Sequence, residues 1–324
     1  MKTTLCLATF AICATSALPA LAASRQVFGT VRYEDALNGT LAATRAVRSV
    51  EIKVKVGSTV VGTATTNSSG AYSVWIDESK LPAGQTMKIE YVSKNFASDV
   101  YLDLDLVNDR LYFTNTRSIP SGLTPIQLDD TVTLAEFSQH FSILDAIHRG
   151  RSYADARREG GDDIGQVSVQ YPDAEWTHYQ SFWGDITVAG ASAYGYGGNA
   201  TDHGWNDGVI LHEYGHHLEY DISDVDTGGG SHTSCTDNGY GFAWSEGWAT
   251  YFASTVGNTY SCCLLDFSNI EPVPSCASPA AEAHTRSVMW DLFDGIGSGG
   301  DAHLDATRFL VVAAAGGGLG LAQR

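Results

Sequence analysis

The chain has 324 residues, of which 44% are hydrophobic and 17% are charged, and its formal net charge is −18 at pH 7. Nucleic acid and anionic membrane surfaces repel so acidic a protein, so the composition argues against both as partners. Without an export signal, about 300 residues remain, which is enough for two domains that each have a core.

The first 22 residues have the pattern of an export signal. Lys2 gives a positive start, an apolar run occupies residues 5–18, and Ala20-Leu21-Ala22 is a small-x-small cleavage site. The apolar run is too short to span a bilayer. The sequence therefore predicts a signal peptide, residues 1–22, and a soluble, monomeric protein secreted to the extracellular space or the periplasm.

A series of short strands is predicted for residues 23–115. Val50, Ile52 and Val54 alternate with charged residues, which is the period of two expected of a half-buried strand. Turn sequences separate this segment from further predicted strands. The further predicted strands are Thr59–Thr65, Ala71–Ile76 and Met87–Val92. Short strands repeated in this way predict an antiparallel β-sandwich.

Two segments of this region resemble a known accessory module. V-F-G-T-V-R-Y at Val27–Tyr33 and T-T-N-S-S-G-A-Y-S-V at Thr65–Val74 are similar to the carboxypeptidase regulatory-like, or transthyretin-like, β-sandwich. The resemblance implies a folding or spacer domain with no chemistry of its own.

A linker is predicted around Thr114–Leu128, and residues 116–324 are predicted to form a second, α+β domain. Asp129-Asp130-Thr131 is a capping sequence for a predicted helix, Val132–Arg149, whose apolar stripe includes Phe137 and Phe141. Val167–Tyr171 and Asp185–Ala193 are predicted strands. The complete prediction is an α+β protein in which a β-sandwich precedes a domain that carries the chemistry.

The motif on which this chemistry depends lies in Val209–Tyr220, which reads V-I-L-H-E-Y-G-H-H-L-E-Y. His212, Glu213 and His216 form H-E-x-x-H, and on a helix the two histidines lie one turn apart on the same face. Both imidazoles can then reach one metal ion, while the glutamate serves as general base. Asn206 and Asp207 are candidate N-terminal caps of this helix.

A third ligand is expected on a second helix, Gly241–Ser254. Glu246 shares one face of that helix with Phe242 and Ala249, so it is the polar residue on an apolar stripe. A carboxylate that faces a core is costly unless it is paired or binds a metal. Periodicity alone leaves open that Glu246 points to solvent.

The two helices together resemble the gluzincin metallopeptidases. H-E-Y-G-H at His212–His216, followed by W-S-E-G-W-A at Trp244–Ala249, is similar to the thermolysin-like group and to its fungalysin-like branch. The resemblance extends over Ile186–Asp294 and implies a zincin-like α+β catalytic domain with an H-E-x-x-H helix. The extended metzincin motif is absent, because no G-x-x-H follows His216 at the required offset.

This resemblance implies one catalytic Zn²⁺ ion, held by His212, His216 and Glu246. Zinc lowers the pKa of its bound water, Glu213 accepts the proton, and a peptide bond is hydrolysed. The expected partners are protein or peptide substrates.

The family also uses tyrosine and histidine side chains to stabilise the tetrahedral oxyanion. Tyr240, close before Glu246, and His284, in Ala281–Asp294, are the candidates here. Ser231-His232, in the glycine-rich loop Thr227–Ser234, is another possibility for this role and would line the cleft.

An outer contact to a ligand histidine is expected to be altered. Many relatives carry an acidic residue four positions after the third ligand, and the residue at that position here is Thr250. Asp207 and Asp291 are alternative sources of a carboxylate that would orient the histidines.

Four cysteines follow the predicted signal peptide, namely Cys235, Cys262, Cys263 and Cys276. An even number in an oxidising compartment predicts two disulfides. Adjacent cysteines rarely pair with each other. Cys262 and Cys263 are therefore each expected to pair with Cys235 or Cys276.

Two other segments bear on the prediction. Asp221, Asp224 and Asp226 form an oxygen-rich loop that suggests Ca²⁺, but their spacing matches no EF-hand, so a solvated acidic loop is favoured. Ala313–Gly320 is a run of alanine, glycine and leucine that resembles no normal domain ending. We therefore expect a truncated or frameshifted C-terminus and a catalytic domain without its last elements.

The sequence as a whole predicts a secreted zinc-dependent metalloendopeptidase. The alternative is a catalytically inactive zincin-like surface or binding protein. Thr250 and the C-terminal run favour this alternative, and the intact Glu213 argues against it. An exopeptidase would need a group that holds a free amino terminus, and the sequence has no recognised motif for one.

Overall fold

The computed structural model describes residues 23–37, 40–104, 107–158, 164–173, 176–191, 202–223, 232–261, 276–278 and 280–294. Several predictions fall outside these residues: those for the signal peptide, for the loop aspartates 224 and 226, for Cys262 and Cys263, and for the C-terminal run.

The described residues form fourteen strands and four α-helices. The strands are β1 Ser24–Leu37, β2 Thr40–Ala46, β3 Glu51–Val56, β4 Thr59–Thr65, β5 Ala71–Asp77, β6 Thr86–Tyr91, β7 Ser98–Leu104, β8 Val107–Asp109, β9 Phe113–Ser118, β10 Ile126–Gln127, β11 Asp130–Val132, β12 Val167–Asp173, β13 His178–Gln180 and β14 Asp185–Ala189. The helices are α1 Gln139–Asp155, α2 Asp207–Ser223, α3 Tyr240–Tyr260 and α4 Glu282–Asp294. The predicted mixture of helices and strands is confirmed.

Two sheets are built mainly from the first third of the chain. In one, β1 pairs antiparallel with β2 and β5, and parallel with β10 and β11. The other has the order β4-β3-β6-β9 and is antiparallel throughout. Ile52 and Val54 of β3 are fully buried and Glu51 and Lys53 are exposed or nearly so, which confirms the predicted alternation.

The third sheet has the order β13-β14-β12-β7-β8. β12 lies between β7 and β14 and is parallel to both, while β13 is antiparallel to β14 and lies at one end of the sheet. Val167 and Val169 of β12 are fully buried and Ser168 between them is exposed, so one face of β12 lies in the core. Residues 186–189 of β14 are all buried, as expected of a strand covered on both faces.

Strand pairing crosses residue 115, the predicted domain boundary, in both directions. Before it, β7 leaves the N-terminal sheets and joins β12. After it, β10 and β11 return to pair with β1, so residues 126–132 lie in an N-terminal sheet. The segment Thr114–Leu128, predicted as a linker, contains most of β9 and the whole of β10.

The first helix begins later than predicted. Val132–Arg149 was the predicted span, whereas α1 begins at Gln139. The capping sequence is used differently: Thr133 donates its backbone N–H to Glu136 Oε2 at 2.9 Å and heads a single 3₁₀ turn. Phe137 then adopts a left-handed conformation (φ 61°), which ends that turn before α1 begins.

One disulfide joins Cys235 and Cys276, whose Cα atoms are 5.1 Å apart. The prediction that Cys262 and Cys263 would each pair with one of these two is therefore wrong. α3 has 21 residues and carries the chain about 30 Å away from its first turn. Cys235 precedes this helix, and the chain just before α4 brings Cys276 back to it.

A buried ionic cluster joins the N-terminal strands to the helices. Asp145 of α1 accepts hydrogen bonds from Tyr33 of β1, at 3.2 Å, and from Arg149, and it also pairs with Arg48. Arg149 Nη1 lies 3.1 Å from Oδ2 of Asp207, the first residue of α2. The start of α2 is thus connected through charged side chains to β1.

This cluster predicts a pH dependence of stability. Burial raises the pKa of Asp207 from 3.8 to about 6, although Arg149 lowers it. A carboxyl with a raised folded-state pKa contributes stability that is present below about 3.8 and is lost as the pH rises through about 6. Two pH units correspond to about 3 kcal/mol.

As the pH rises from 4 to 7, the free energy of unfolding of Asp207→Asn is therefore expected to increase relative to that of the unchanged protein. Urea unfolding at unit pH intervals measures this difference. If the difference in the free energy of unfolding between the two proteins stayed constant from pH 4 to pH 7, the raised pKa of Asp207 would be contradicted.

Candidate metal centre

Helix α2 begins as its sequence predicts. Asn206 is the cap: its side-chain oxygen accepts from the N–H of Val209 at 3.1 Å, and its carbonyl accepts from Ile210 at 3.0 Å. Ile210, Tyr214 and Leu218 are fully buried. These three residues fix one face of α2 in the core. Another face of α2 is thereby held toward the neighbouring helix α3.

Gly215 allows α2 and α3 to approach each other closely. A Cβ atom at this position would lie 2.9 Å from Cα and 3.3 Å from Cβ of Ala249 in α3. Trp248 of α3 donates its indole N–H to the Gly215 carbonyl at 3.2 Å. The glycine disfavours the helix by propensity, but contact between the two backbones requires it, and this contact sets the distance between the residues that the helices carry.

Gly215→Ala is expected to push the helices apart. The added methyl meets backbone atoms, which cannot move aside as a flexible side chain would, so the free energy of unfolding should fall by about 1–3 kcal/mol. Metal affinity should fall as well, because α2 and α3 carry different candidate ligands. Urea unfolding and zinc titration measure the two effects. As a control, Asp221→Ala on the exposed side of α2 should change both by little; unchanged values for Gly215→Ala would contradict the close-contact argument.

Three side chains converge between these helices. His212 Nε2 lies 3.2 Å from His216 Nε2, and Glu246 Oε2 lies 3.1 Å from the first nitrogen and 3.4 Å from the second. Two nitrogen ligands of a tetrahedral zinc ion, each about 2.1 Å from the metal, lie about 3.4 Å apart. The spacing and the donor set of two imidazoles and a carboxylate therefore fit a divalent metal ion.

The two histidines and Glu246 also interact strongly through their charges. Burial alone would lower the pKa of His216, but the nearby carboxylates of Glu219 and Glu246 raise it to about 10. Burial alone would raise the pKa of Glu246, but hydrogen bonds from His212 and His216 lower it. Glu246 is 7% exposed, so its oxygens face the histidines rather than solvent.

Each histidine also makes a contact through its other ring nitrogen. His212 Nδ1 lies 3.1 Å from Thr250 Oγ1, and that hydroxyl donates to Glu282 Oε1 at 3.1 Å. The carboxylate expected near Thr250 thus comes from α4. Of the two sources considered from the sequence, Asp207 pairs with Arg149, and the side chain of Asp291 lies outside the described residues.

The second histidine has a matching arrangement. His216 Nδ1 lies 3.2 Å from Ser245 Oγ, which donates to Glu219 Oε2 at 2.5 Å. Ser245 immediately precedes Glu246 and Glu219 follows His216 by three residues, so helical geometry gives a local signal for this contact. The sequence offers no comparable signal for Glu282, which is distant along the chain.

The predicted general base contacts the end strand of the third sheet. Glu213 is 8% exposed, and its Oε2 accepts the backbone N–H of Tyr179 in β13 at 2.9 Å. A fixed donor holds one carboxylate oxygen in place.

The three oxyanion candidates occupy different positions. Tyr240 is the first residue of α3 and is 71% exposed. His284 Nε2 lies 3.3 Å from the Cys276 carbonyl oxygen. His232 Nε2 lies 3.3 Å from Glu246 Oε2. Among the contacts of the described residues, the structure brings His232 next to the candidate ligand Glu246 but not the other two.

Comparisons with known proteins give one clear relationship. No protein-family profile matches the chain. An uncharacterized protein of Archaeoglobus fulgidus is 31% identical over an alignment of 273 positions, which covers 72% of this chain and 76% of that protein. The chain belongs to the same family as this archaeal protein.

A structural comparison adds little. A 9R-lipoxygenase from Cyanothece PCC8801 matches 41% of the chain at 12% identity with a TM-score of 0.21, and the match spans 24% of the lipoxygenase chain. A likeness of this size carries no argument about fold or activity.

Proposed function

We propose that the chain is a secreted zinc-dependent metalloendopeptidase. The observation that carries the proposal is the convergence of His212, His216 and Glu246 from two helices, with Glu213 adjacent in sequence to the first ligand. Two imidazoles and one carboxylate are the donor set of many catalytic zinc sites, in which a fourth position remains for water or substrate.

The proposed architecture is an antiparallel β-sandwich followed by a zincin-like gluzincin domain. In support of the first part, β4-β3-β6-β9 is antiparallel and shares a hydrophobic core with the sheet around β1. In support of the second, H-E-x-x-H lies on α2, the third ligand lies on the next described helix, and β13 runs antiparallel to its neighbour beside Glu213.

In this proposal the protein groups have separate roles. Zinc, when bound, would polarise the scissile carbonyl and make the attacking water more acidic. Glu213 takes the proton from the water and later gives it to the leaving amine. The Tyr179 N–H holds the orientation of the Glu213 carboxylate, and His232 is the described candidate nearest to the ligands for a donor to the oxyanion.

The inactive alternative loses part of its support. The alternative was favoured by Thr250, which occupies a position where an acidic residue was expected. Thr250 donates a hydrogen bond to Glu282, so a carboxylate is present next to it. Calcium is not part of the proposal, because Asp221 lies 4.0 Å from Arg158 and the other two loop aspartates lie outside the described residues.

Secretion is part of the proposal as well. Two observations accord with it: the Cys235–Cys276 disulfide suits an oxidising compartment, and none of the described helices is both long and apolar enough to cross a bilayer. The proposed partners are protein or peptide substrates, with neither nucleic acid nor membrane, and the proposed state is a monomer.

The test is hydrolysis of casein by the purified, zinc-loaded protein, with and without a chelator. We expect cleavage that the chelator abolishes and that added zinc restores. No cleavage by a folded sample with one zinc per chain would overturn the peptidase and favour the binding protein. Cleavage that survives metal removal would overturn the metal mechanism.

A further inference from the structure

We propose that two carboxylate–hydroxyl pairs, Glu282–Thr250 and Glu219–Ser245, are positioning relays. Each holds one ligand histidine in the tautomer that leaves its Nε2 free to bind metal, and together they set the metal affinity. The inference rests on the proposed metal centre but not on peptidase activity.

The direction of the hydrogen bonds carries the argument. A carboxylate accepts hydrogen bonds only, so the single proton of Thr250 is directed to Glu282 and that of Ser245 to Glu219. Each hydroxyl oxygen can then only accept from the imidazole that it faces. The two contacts at Nδ1, 3.1 Å for His212 and 3.2 Å for His216, therefore require Nδ1–H.

This protonation has a consequence at the opposite side of each ring. A neutral imidazole with Nδ1–H has its lone pair on Nε2. The two Nε2 atoms are the atoms that lie 3.2 Å apart and face Glu246 Oε2. Both relays thus select the tautomer that the converging geometry needs.

Burial makes the relays costly to break. Glu282, Glu219 and Ser245 are 7%, 6% and 6% exposed, and a buried carboxylate without a hydrogen-bond donor is strongly destabilised. Glu282 has further neighbours: Arg286 Nη1 and His232 Nε2 each lie 3.6 Å away.

The two relays use different elements, so they can be separated by mutation. The first relay connects Glu282 of α4 through Thr250 of α3 to His212 of α2. The second connects Glu219 of α2 through Ser245 of α3 to His216 of α2. Thr250 and Ser245 flank Glu246 on α3, so one helix supplies both hydroxyl groups and a ligand. In the first relay a threonine takes the place at which related sequences often carry an acid, and a glutamate from α4 supplies the charge.

The test measures zinc dissociation constants of the full chain by competition with a chromophoric chelator. Thr250→Val and Glu282→Gln are each expected to weaken zinc binding about 10–100-fold, and the double variant should bind no more weakly than the weaker single variant. Thr250→Ser keeps the hydroxyl and should keep the affinity. Ser245→Ala and Glu219→Gln should behave as a second such pair, with losses that add to those of the first.

Two controls separate a relay from general packing. Metal-free unfolding midpoints show whether each variant folds. Nitrogen NMR of the unchanged, zinc-loaded protein should give protonated Nδ1 and unprotonated Nε2 for both histidines, which requires no variant.

Several results would overturn the inference. These are additive losses within one pair, equal losses for Thr250→Ser and Thr250→Val, or a protonated Nε2 on either histidine. Zinc binding that is insensitive to all these substitutions would overturn the relays alone. Absence of zinc binding by the unchanged protein would overturn both the relays and the metal centre.

Discussion

Glu213→Gln is expected to reduce casein hydrolysis by about 10²–10⁴-fold, the usual contribution of a positioned general base. Glutamine has nearly the same shape, and its amide oxygen can still accept the Tyr179 N–H that now meets Glu213 Oε2 at 2.9 Å. It cannot accept a proton from water. The loss should therefore appear in kcat, with zinc content and unfolding midpoint unchanged.

The matched control is Asp221→Asn, which also neutralises a carboxylate of α2 but at an exposed position. It should leave hydrolysis within about twofold of the unchanged protein, because a surface charge contributes little. If Glu213→Gln cleaved casein as fast as this control while one zinc per chain remained bound, Glu213 would not be the base.

Glu246→Ala is expected to cost more zinc affinity than the 10–100-fold that outer contacts typically contribute. The reason is that it removes a ligand and leaves His212 and His216 with no carboxylate between them. Hydrolysis should be lost together with the metal. Ligand binding stabilises the folded protein by RT ln(1 + L/Kd), where L is the free ligand concentration, so excess zinc should stabilise the unchanged protein but not this variant.

Zinc titration, metal analysis and thermal unfolding measure the three effects. Glu51→Ala is the control, since that glutamate is exposed on β3 and distant in sequence from the ligands. Stoichiometric zinc in Glu246→Ala would remove the residue from the ligand set and leave His212 and His216 in need of another partner.

The features that were predictable from the sequence are those with a short period. Ile52 and Val54 alternate with charged neighbours, and β3 and β4 appear where this pattern places strands. The spacing of His212 and His216 put both on one helical face, and α2 has this face beside α3. Glu246 stood out because it interrupted an apolar stripe.

Other features depend on contacts between distant parts of the chain. Asp129-Asp130-Thr131 had a capping pattern, but Asp130–Val132 forms strand β11, because parallel pairing with β1 outweighs the local preference for a helix. Glu282 reaches Thr250 only because α4 packs on α3. The pairing of Cys235 with Cys276 likewise depends on where the chain returns after α3. Periodicity contains no information on any of these contacts.

The position of β7 has a consequence for how the protein could be processed. In sequence, β7 lies between β6 and β9, which pair with each other in an N-terminal sheet. β7 itself pairs with β12 in the sheet beside α2. A single proteolytic cut after β9 would leave the N-terminal fragment held by strand hydrogen bonds, and its departure would open the remaining sheet at β12. The N-terminal sheets therefore cannot be shed as a simple propeptide without damage to the sheet whose strand β13 contacts Glu213.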